Sequence, residues 1–296
     1  MEVLYIYPGS EDQHAGLKDR LARMAKVTII QSGVRPQYWH RIKECFQYRD
    51  LLRMLCYRDL RVRYAQTFLG ITWALINPLV STLVLYFVFS VITHADTQDI
   101  PPILYTLSGL YAWNYFSRVV SDAGNSIIGA QALVKKVYFP RLIIPWSKAI
   151  SALIDLGIVL ILLLVMLWVE HYPLHWQMLM IIPFTLLTFL TSIAFGTWIS
   201  ALTIRYRDFN HILPLALRIG IFISPIAYSS ASVPGNFRWL YNLNPLTGII
   251  EGVRWSLFNT AIDLNALLAS IGMTVIVLFG GIAYFIMMER EIADII

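Results

Sequence analysis

The sequence predicts an all-α membrane protein built on six transmembrane helices, and three observations predict it. Hydrophobic residues make up 57% of the 296 positions and charged residues only 14%, whereas soluble domains run near ~25% charged. Six apolar runs, at residues 69–93, 103–120, 143–169, 179–204, 212–228 and 266–288, reach or approach the ~20 residues needed to cross hydrocarbon. The second and fifth runs are the marginal ones. Third, the basic residues are sorted by side. Alternate connecting segments carry eighteen Lys and Arg on one side and two, Arg238 and Arg254, on the other. Arg118, Lys148 and Arg218 lie inside the runs. Basic loops stay cytoplasmic, so both termini are expected in the cytoplasm.

The net charge of +5 does not point to nucleic acid. Twelve of the 23 Lys and Arg precede Phe68, beside the first run, which fits anchoring to anionic lipids of the inner leaflet. Cys45 and Cys56 fall in the expected cytoplasmic region, where disulfides are disfavoured, and read as structural thiols. The first eight residues lack the basic start and long apolar core of a cleavable signal, so insertion is expected to rely on the later spans.

Taken in order, residues 1–36 form an N-terminal extension on the cytoplasmic side. It alternates strand-like, helix-like and strand-like stretches, a small β-α-β fragment, but ~36 residues are too few for an independent core. Residues 37–67 read as one amphipathic helix. Leu51, Leu52, Leu55, Leu60 and Val62 alternate there with Arg49, Arg53, Arg58, Arg61 and Arg63. Such a basic helix commonly lies in the interface plane with its apolar side in lipid; an ordinary solvated helix is the alternative. Residues 68–288 hold the six spans, and residues 289–296 form a cytoplasmic tail.

Between the second and third runs lies AQALVKKVYFPRLIIPW, residues 130–146. Leu133 to Val137 has the length of about one helical turn. Phe139-Pro140 stops it, because Pro lacks an amide hydrogen and restricts the residue before it. Lys135, Lys136 and Arg141 place this short, stiff knob on the cytoplasmic side. From the residues alone it is equally a plain re-entry loop.

The segment 229–265 is too long and too apolar for a simple loop. Pro234-Gly235 and Asn244-Pro245 mark turns. Residues 245–257 then have helical spacing but fall short of a span, which predicts a re-entrant or interfacial helical hairpin before the last span. Glu251 and Arg254, three apart, are placed to pair on one face.

Motifs for chemistry are sparse. A phosphate-binding loop needs G-x-x-x-x-G-K-[ST], and residues 124–129 continue into Ala130-Gln131 without the lysine or hydroxyl. If ATP drives this protein, another chain binds it. His171 and His175 have metal-ligand spacing, but Pro173 lies between them and no third ligand is evident. Asp155, alone within the third run, reads either as a pathway residue or as a hydrogen-bonded partner of Lys148 or a neighbouring helix. Asp208 sits in the turn Arg205-Tyr206-Arg207-Asp208-Phe209.

Several of these stretches together resemble the transmembrane subunit of ATP-binding-cassette permeases that export polysaccharides. The resemblance runs over roughly residues 40–290 and is most specific at residues 133–141, 204–209 and 243–254. Residues 59–64 also resemble the end of that family's interfacial helix. It implies a homodimer of six-span permeases with two copies of a separate cytoplasmic ATPase, which would hold the ATP and magnesium. No cofactor is expected in this chain. The cargo implied is a lipid-linked polysaccharide such as O antigen, capsule or teichoic acid, moved across the bacterial cytoplasmic membrane. Residues 130–146 match the coupling helix that plugs into the ATPase, so Leu133, Lys135, Lys136, Val137, Tyr138, Phe139 and Arg141 become coupling candidates. Arg207 and Asp208 join them from a loop that faces the same side. Asn244, Pro245, Glu251 and Arg254 match the re-entrant segment. The extension 1–36 departs from the usual short start of the family.

Helical spacing adds a candidate channel lining. In the first span Thr82, Tyr86, Phe89 and Thr93 share one face, and in the fifth Arg218, Phe222, Pro225 and Ser229 do. Aromatic faces cover the C–H side of sugar rings, and hydroxyls exchange hydrogen bonds with a sliding polymer. Helix-to-helix packing or an outer aromatic belt is the competing reading of Tyr86 and Phe89. Two other classes stay open at this point: a drug or lipid exporter on the same scaffold, and an integral membrane enzyme of polysaccharide assembly. The outside acids Asp96, Asp99, Glu170, Glu251 and Asp263 are too dispersed for a paired-carboxylate site.

Overall fold

The computed structural model describes residues 38–65, 70–173 and 175–295. The β-α-β fragment expected in residues 1–36 lies outside the described residues. Every regular element among the described residues is helical.

The expected single interfacial helix is two, α1 (Tyr38–Gln47) and α2 (Arg49–Tyr64). Tyr48, at φ −89° and ψ 28°, leaves the helical region between them. The ladder still crosses this jog, since the Tyr48 amide donates to Glu44 O at 3.2 Å and the Leu52 amide to Tyr48 O at 3.0 Å. The expected orientation is also corrected. Cys45, Leu51, Leu52 and Leu55 do not face outward but pack on Ile127, Phe139, Leu142 and Phe285 of the bundle. A second apolar set, Phe46, Met54, Tyr57 and Val62, is the outward one.

After a 3-10 turn at Gly70–Thr72 come α3 (Trp73–Tyr86) and a π-helical segment, Phe87–Ile92. The wide turn is explicit in the Thr93 amide donating back to Val88 O at 3.1 Å. It breaks the spacing that placed Thr82, Tyr86, Phe89 and Thr93 on one face. Thr82 is buried and donates to Pro78 O at 2.7 Å, while Thr93 is exposed and donates to Phe89 O at 2.7 Å.

The centre of the bundle is α4 (Pro102–Gly124), with Pro102 at its first position, where the missing amide hydrogen costs nothing. Residues 104–113 are buried without a break. This explains why its apolar run looked marginal. A helix wrapped by protein keeps tyrosines and hydroxyls that neighbouring helices satisfy: Tyr115 donates to Ala149 O at 2.8 Å, and Tyr111 and Thr185 share a hydrogen bond at 2.6 Å.

Two short helices, α5 (Ser126–Gly129) and α6 (Gln131–Lys136), lead into α7 (Ile143–Val169), whose bounds are those of the third apolar run. A 3-10 turn, Trp176–Met180, opens α8 (Ile181–Arg205). The fifth run is shorter than expected: α9 (Phe209–Ile223) stops before Ser224-Pro225, as a residue preceding proline should. Pro225 and Ser229 therefore leave the face assigned to Arg218 and Phe222, and both are buried in the turn that follows. The hairpin then holds α10 (Gly235–Asn242), which the turn signals did not reveal, and α11 (Pro245–Phe258). The last helix is α12 (Leu264–Ile295).

Among the described residues, four stretches are long and apolar enough to cross a membrane: Gly70–Ile92, Ile143–Val169, Trp176–Arg205 and Leu264–Glu289. The two runs that fall outside this set are those of α4 and α9. Lengthwise, α4 packs on α7 and α8, α8 on α12, and α2 on α7. Small and hydroxylated residues let α8 approach its neighbours, as is common between helices in lipid. Thr191 of α8 bonds Thr274 of α12 at 2.7 Å, and Thr203 donates to Gly124 O of α4 at 2.5 Å.

Candidate functional site

The structure gathers candidate residues into a knob, a charged crevice and a capped hairpin. The knob follows α4. Its helix ends at Lys136, and Val137 is extended at φ −134° and ψ 136°, just ahead of the Phe139-Pro140 break. Phe139 is 2% exposed and sits among Ile127, Ala130, Leu142 and Leu55, with Leu133 packed beside them. Phe139 and Leu133 thus anchor the knob from within. Arg141 is clamped to the end of α12: its amide donates to Glu289 Oε1 at 3.2 Å and its guanidinium to Glu289 O at 2.5 Å. The outward rim is Lys135, Lys136, Val137 and Tyr138, all exposed. Arg207 and Asp208 are exposed in the turn before α9, at the end of α8 that also carries Thr203 next to Gly124.

Cys56 lies beside this end on α2, its thiol donating to Ser147 O at 3.5 Å. Burial pushes the thiol up to about 11, with the Asp59 carboxylate adding to it. Only the thiolate reacts, and Cys45 is buried. A water-soluble maleimide at pH 7 should therefore leave both cysteines unmodified in the folded chain and label both after denaturation. Rapid native labelling at Cys56 would contradict this placement.

The crevice is a cavity of about 740 Å³ between α3, α4, α7 and α9, floored by the end of α2. Residues nobody would join from spacing alone meet there. Arg63, in the last turn of α2, reaches Asp155 of α7 at 2.5 Å and Asp122 of α4 at 2.9 Å. Tyr64 donates its hydroxyl to Asp155. Arg118 holds Asp122 at 3.3 Å and stands 4.0 Å from Asp155. Lys148 pairs with Asp59 at 2.8 Å, so of the two partners open for Asp155, Lys148 or a neighbouring helix, the neighbouring helix holds it. Both acids of the crevice are thus held by arginines of α2 or α4, which fastens α2 to α4 and α7. Arg118 and Asp122 do have the four-residue spacing of a helical pair, and that signal was available within the second apolar run. Arg63 carried none. Arg218 of α9 lines the same cavity, is exposed, and has no ion pair among the described residues.

At the opposite end, α11 is capped by Asn244, whose side chain accepts from the Leu246 amide at 3.1 Å and donates to Ser224 Oγ at 3.0 Å. Glu251 and Arg254 do not pair as expected. Glu251 accepts the Ser230 hydroxyl. Arg254, 3% exposed, lies 3.6 Å over the Tyr105 ring and donates to Tyr105 O at 3.3 Å and Ile226 O at 2.6 Å. Gly109 completes this joint: a Cβ there would come within 2.5 Å of Ile226 O. Phe89 stacks on Tyr228 at 6.1 Å, and Tyr228 donates to Phe222 O at 3.0 Å. These contacts tie the C-terminal ends of the first and fifth runs to the segment that follows α9. Tyr86 is half-buried and Phe222 exposed.

Apolar helices of crossing length packed around a polar crevice mark a polytopic membrane protein. The chain belongs to the ABC-2 type transporter family, whose model matches residues 50–258. It is similar to the O-antigen export system permease protein RfbA of Klebsiella pneumoniae, 27% identical over 83% of this chain and 95% of that one. RfbA of Myxococcus xanthus is 26% identical over 86% of this chain and 98% of its own length. The polysialic acid transport protein KpsM of Escherichia coli is 28% identical over 77% of this chain and 89% of that protein.

Proposed function

We propose that this chain is the transmembrane, non-catalytic subunit of an ATP-driven exporter that moves a lipid-linked polysaccharide across the bacterial cytoplasmic membrane. Membership of the ABC-2 family together with near full-length similarity to O-antigen and polysialic acid permeases carries this reading. The chain works as a homodimer with two copies of a cytoplasmic ATPase, which hold ATP and magnesium. Its partners are membrane lipids and the cargo, and not nucleic acid. Six spans, with α4 and α9 as the second and fifth, leave both termini in the cytoplasm, and eighteen basic residues against two support that orientation. Residues 1–36 form an extension, α1 and α2 lie at the inner interface, and α10 and α11 fold back as the re-entrant hairpin.

In this reading the rim at Lys135, Lys136, Val137 and Tyr138 docks on the ATPase, and the turn at Arg207 and Asp208 faces it. The clamp at Phe139 and Arg141 makes the knob a lever. Tyr86, Phe89 and Phe222 from two subunits form the outer constriction, with Thr93 at its mouth and Arg218 deeper. Thr82, buried against Pro78, takes no part.

The test combines isolation and topology. The tagged chain should copurify with a cassette ATPase. Reporters fused within residues 94–102 should read outside, and one after Lys135 inside. A chain that isolates without an ATPase, with surface polysaccharide unchanged on deletion of its gene, would overturn the function. Opposite reporter readings would overturn the topology.

A further inference from the structure

An arginine on an apolar helix with no acid beside it demands an anion, because an unpaired charge at membrane depth is costly. Arg218 is in that position. It lies among Leu215, Ile219, Phe222 and Ile223, all outward-facing, and opens onto the crevice. Among the described residues, the acids of α3, α4, α7, α8 and α9 are Asp122 and Asp155 alone, and both are bound by Arg63 and Arg118. Within these helices no carboxylate is left for Arg218, and an anionic ligand fits the position.

The remaining lining says what kind of anion fits. Arg63 and Arg118 balance the two aspartates, so Arg218 leaves the crevice one positive charge in excess. The two balancing arginines are held unequally. Arg63 is 15% exposed and forked between Asp155 and Asp122 at 2.5 and 2.9 Å. Arg118 is 39% exposed and makes one contact at 3.3 Å and one at 4.0 Å. Arg118 can therefore turn to an incoming anion while Arg63 keeps both acids neutralised. Its wall is near that of Arg218, since α9 crosses α4 where Gly220 meets the Trp113 ring. Guanidinium forks suit the oxygens of phosphate. On either side of the crevice, outward Leu83 and Val84 of α3 and Leu215 and Ile219 of α9 offer an aliphatic chain a surface to follow.

We propose that Arg118 and Arg218 form a phosphate site in this crevice, which takes the phosphate end of a lipid while its tail lies along α3 and α9. Arg63, Tyr64, Asp122 and Asp155 are the frame that holds the site, not its ligands. The inference rests on the exporter reading in that the lipid would then be the carrier of the polymer.

The purified permease in a neutral maltoside detergent, followed by native mass spectrometry, tests it with four probes: a polyprenyl diphosphate, the parent polyprenol, phosphatidylglycerol and inorganic pyrophosphate. The wild type should retain the polyprenyl diphosphate and not pyrophosphate alone. Arg218→Gln should weaken that retention about tenfold, the order expected for one charge-assisted contact, and Arg118→Gln with Arg218→Gln should weaken it further. Arg218→Lys should recover part of it. Polyprenol retention should be the same in all variants. Arg218 has no protein ion pair to lose, so its Gln variant should elute and melt like the wild type and keep the comparison clean. Arginine-dependent competition by phosphatidylglycerol at equal strength assigns the site to bulk lipid phosphate; weak competition assigns it to the carrier. Equal diphosphate retention in every variant, or pyrophosphate binding as well as the lipid, overturns the site. Those outcomes leave the exporter reading standing if the ATPase still copurifies, whereas loss of the ATPase would strike that reading without altering the binding series.

Discussion

Arg254→Met should cost the folded chain about 2–4 kcal/mol. Of the two carbonyls it bridges, one keeps the Ser108 hydroxyl as a donor at 2.8 Å. The other loses its arginine donor at ~1–3 kcal/mol, and the loss of a desolvated cation–π contact adds to this. Those carbonyls belong to Tyr105, in the first turns of α4, and to Ile226, in the turn after α9. One side chain thus sews the hairpin to the central helix and to the end of the fifth run. Shape enforces the same joint independently. The Ile226 backbone lies in the notch at Gly109, where an added Cβ would meet its carbonyl oxygen at 2.5 Å and its Cα at 2.7 Å. Backbone atoms cannot rotate away as a side-chain tip can, so Gly109→Ala should push the turn off α4 and act in the same direction. Arg254→Lys keeps a charge but loses the fork that spans two carbonyls, and should fall between. The measurement is the thermal midpoint and the monodisperse fraction of detergent-solubilised protein. An unchanged midpoint in Arg254→Met would show that the joint carries none of the stability assigned to it.

What the sequence disclosed depended on whether the cause was local. The bounds of α7 were readable because its neighbours in sequence are unbroken Ile, Leu and Val, and one apolar run needs no knowledge of its surroundings. The stop at Lys136 was readable because Phe139-Pro140 acts on adjacent backbone. Its companion at Ser224-Pro225 obeys the same rule and was passed over because apolar residues continue beyond it. The direction of Phe139 was not readable: an aromatic in a basic loop suits a docking rim as well as an anchor, and only the packing of α2, α7 and α12 around it decides. Arg63 and Asp155 lie 92 positions apart, and nothing near Asp155 favours Arg63 over Lys148, which is closer in sequence. The π-helical turn at Phe87–Ile92 has no distinguishing composition either, yet it rotates Thr93 away from Thr82. The family resemblance named the transporter class that the matched model then established, and it could not place side chains.

The second large effect is expected at the knob. Val137→Ala with Tyr138→Ala should abolish association with the ATPase and export, while leaving insertion and elution unchanged. Val137 is 54% and Tyr138 43% exposed, on an extended stretch fixed by buried Phe139 on one side and the helix end at Lys136 on the other. Fully burying side chains of this size is worth about 1.5–3 kcal/mol each. Removing most of both should weaken docking on the order of a hundredfold, at ~1.4 kcal/mol per tenfold. The neighbouring Lys135 and Lys136 are exposed, and exposed ion pairs contribute ~0–1 kcal/mol each. Neutralising both lysines should therefore reduce export less than the double alanine change and should make it more sensitive to salt. Phe139→Ala is the contrasting variant. It opens a cavity beside Leu55 and Leu142 at a cost of about 3–5 kcal/mol, so it should lower the midpoint of the isolated permease, which the rim variant should not. The decisive comparison is ATPase pull-down alongside surface polysaccharide in the same cells. Wild-type levels of both in the Val137, Tyr138 double variant would reject the knob as the docking element, and a loss of both with an unchanged permease midpoint is the outcome expected of a docking rim.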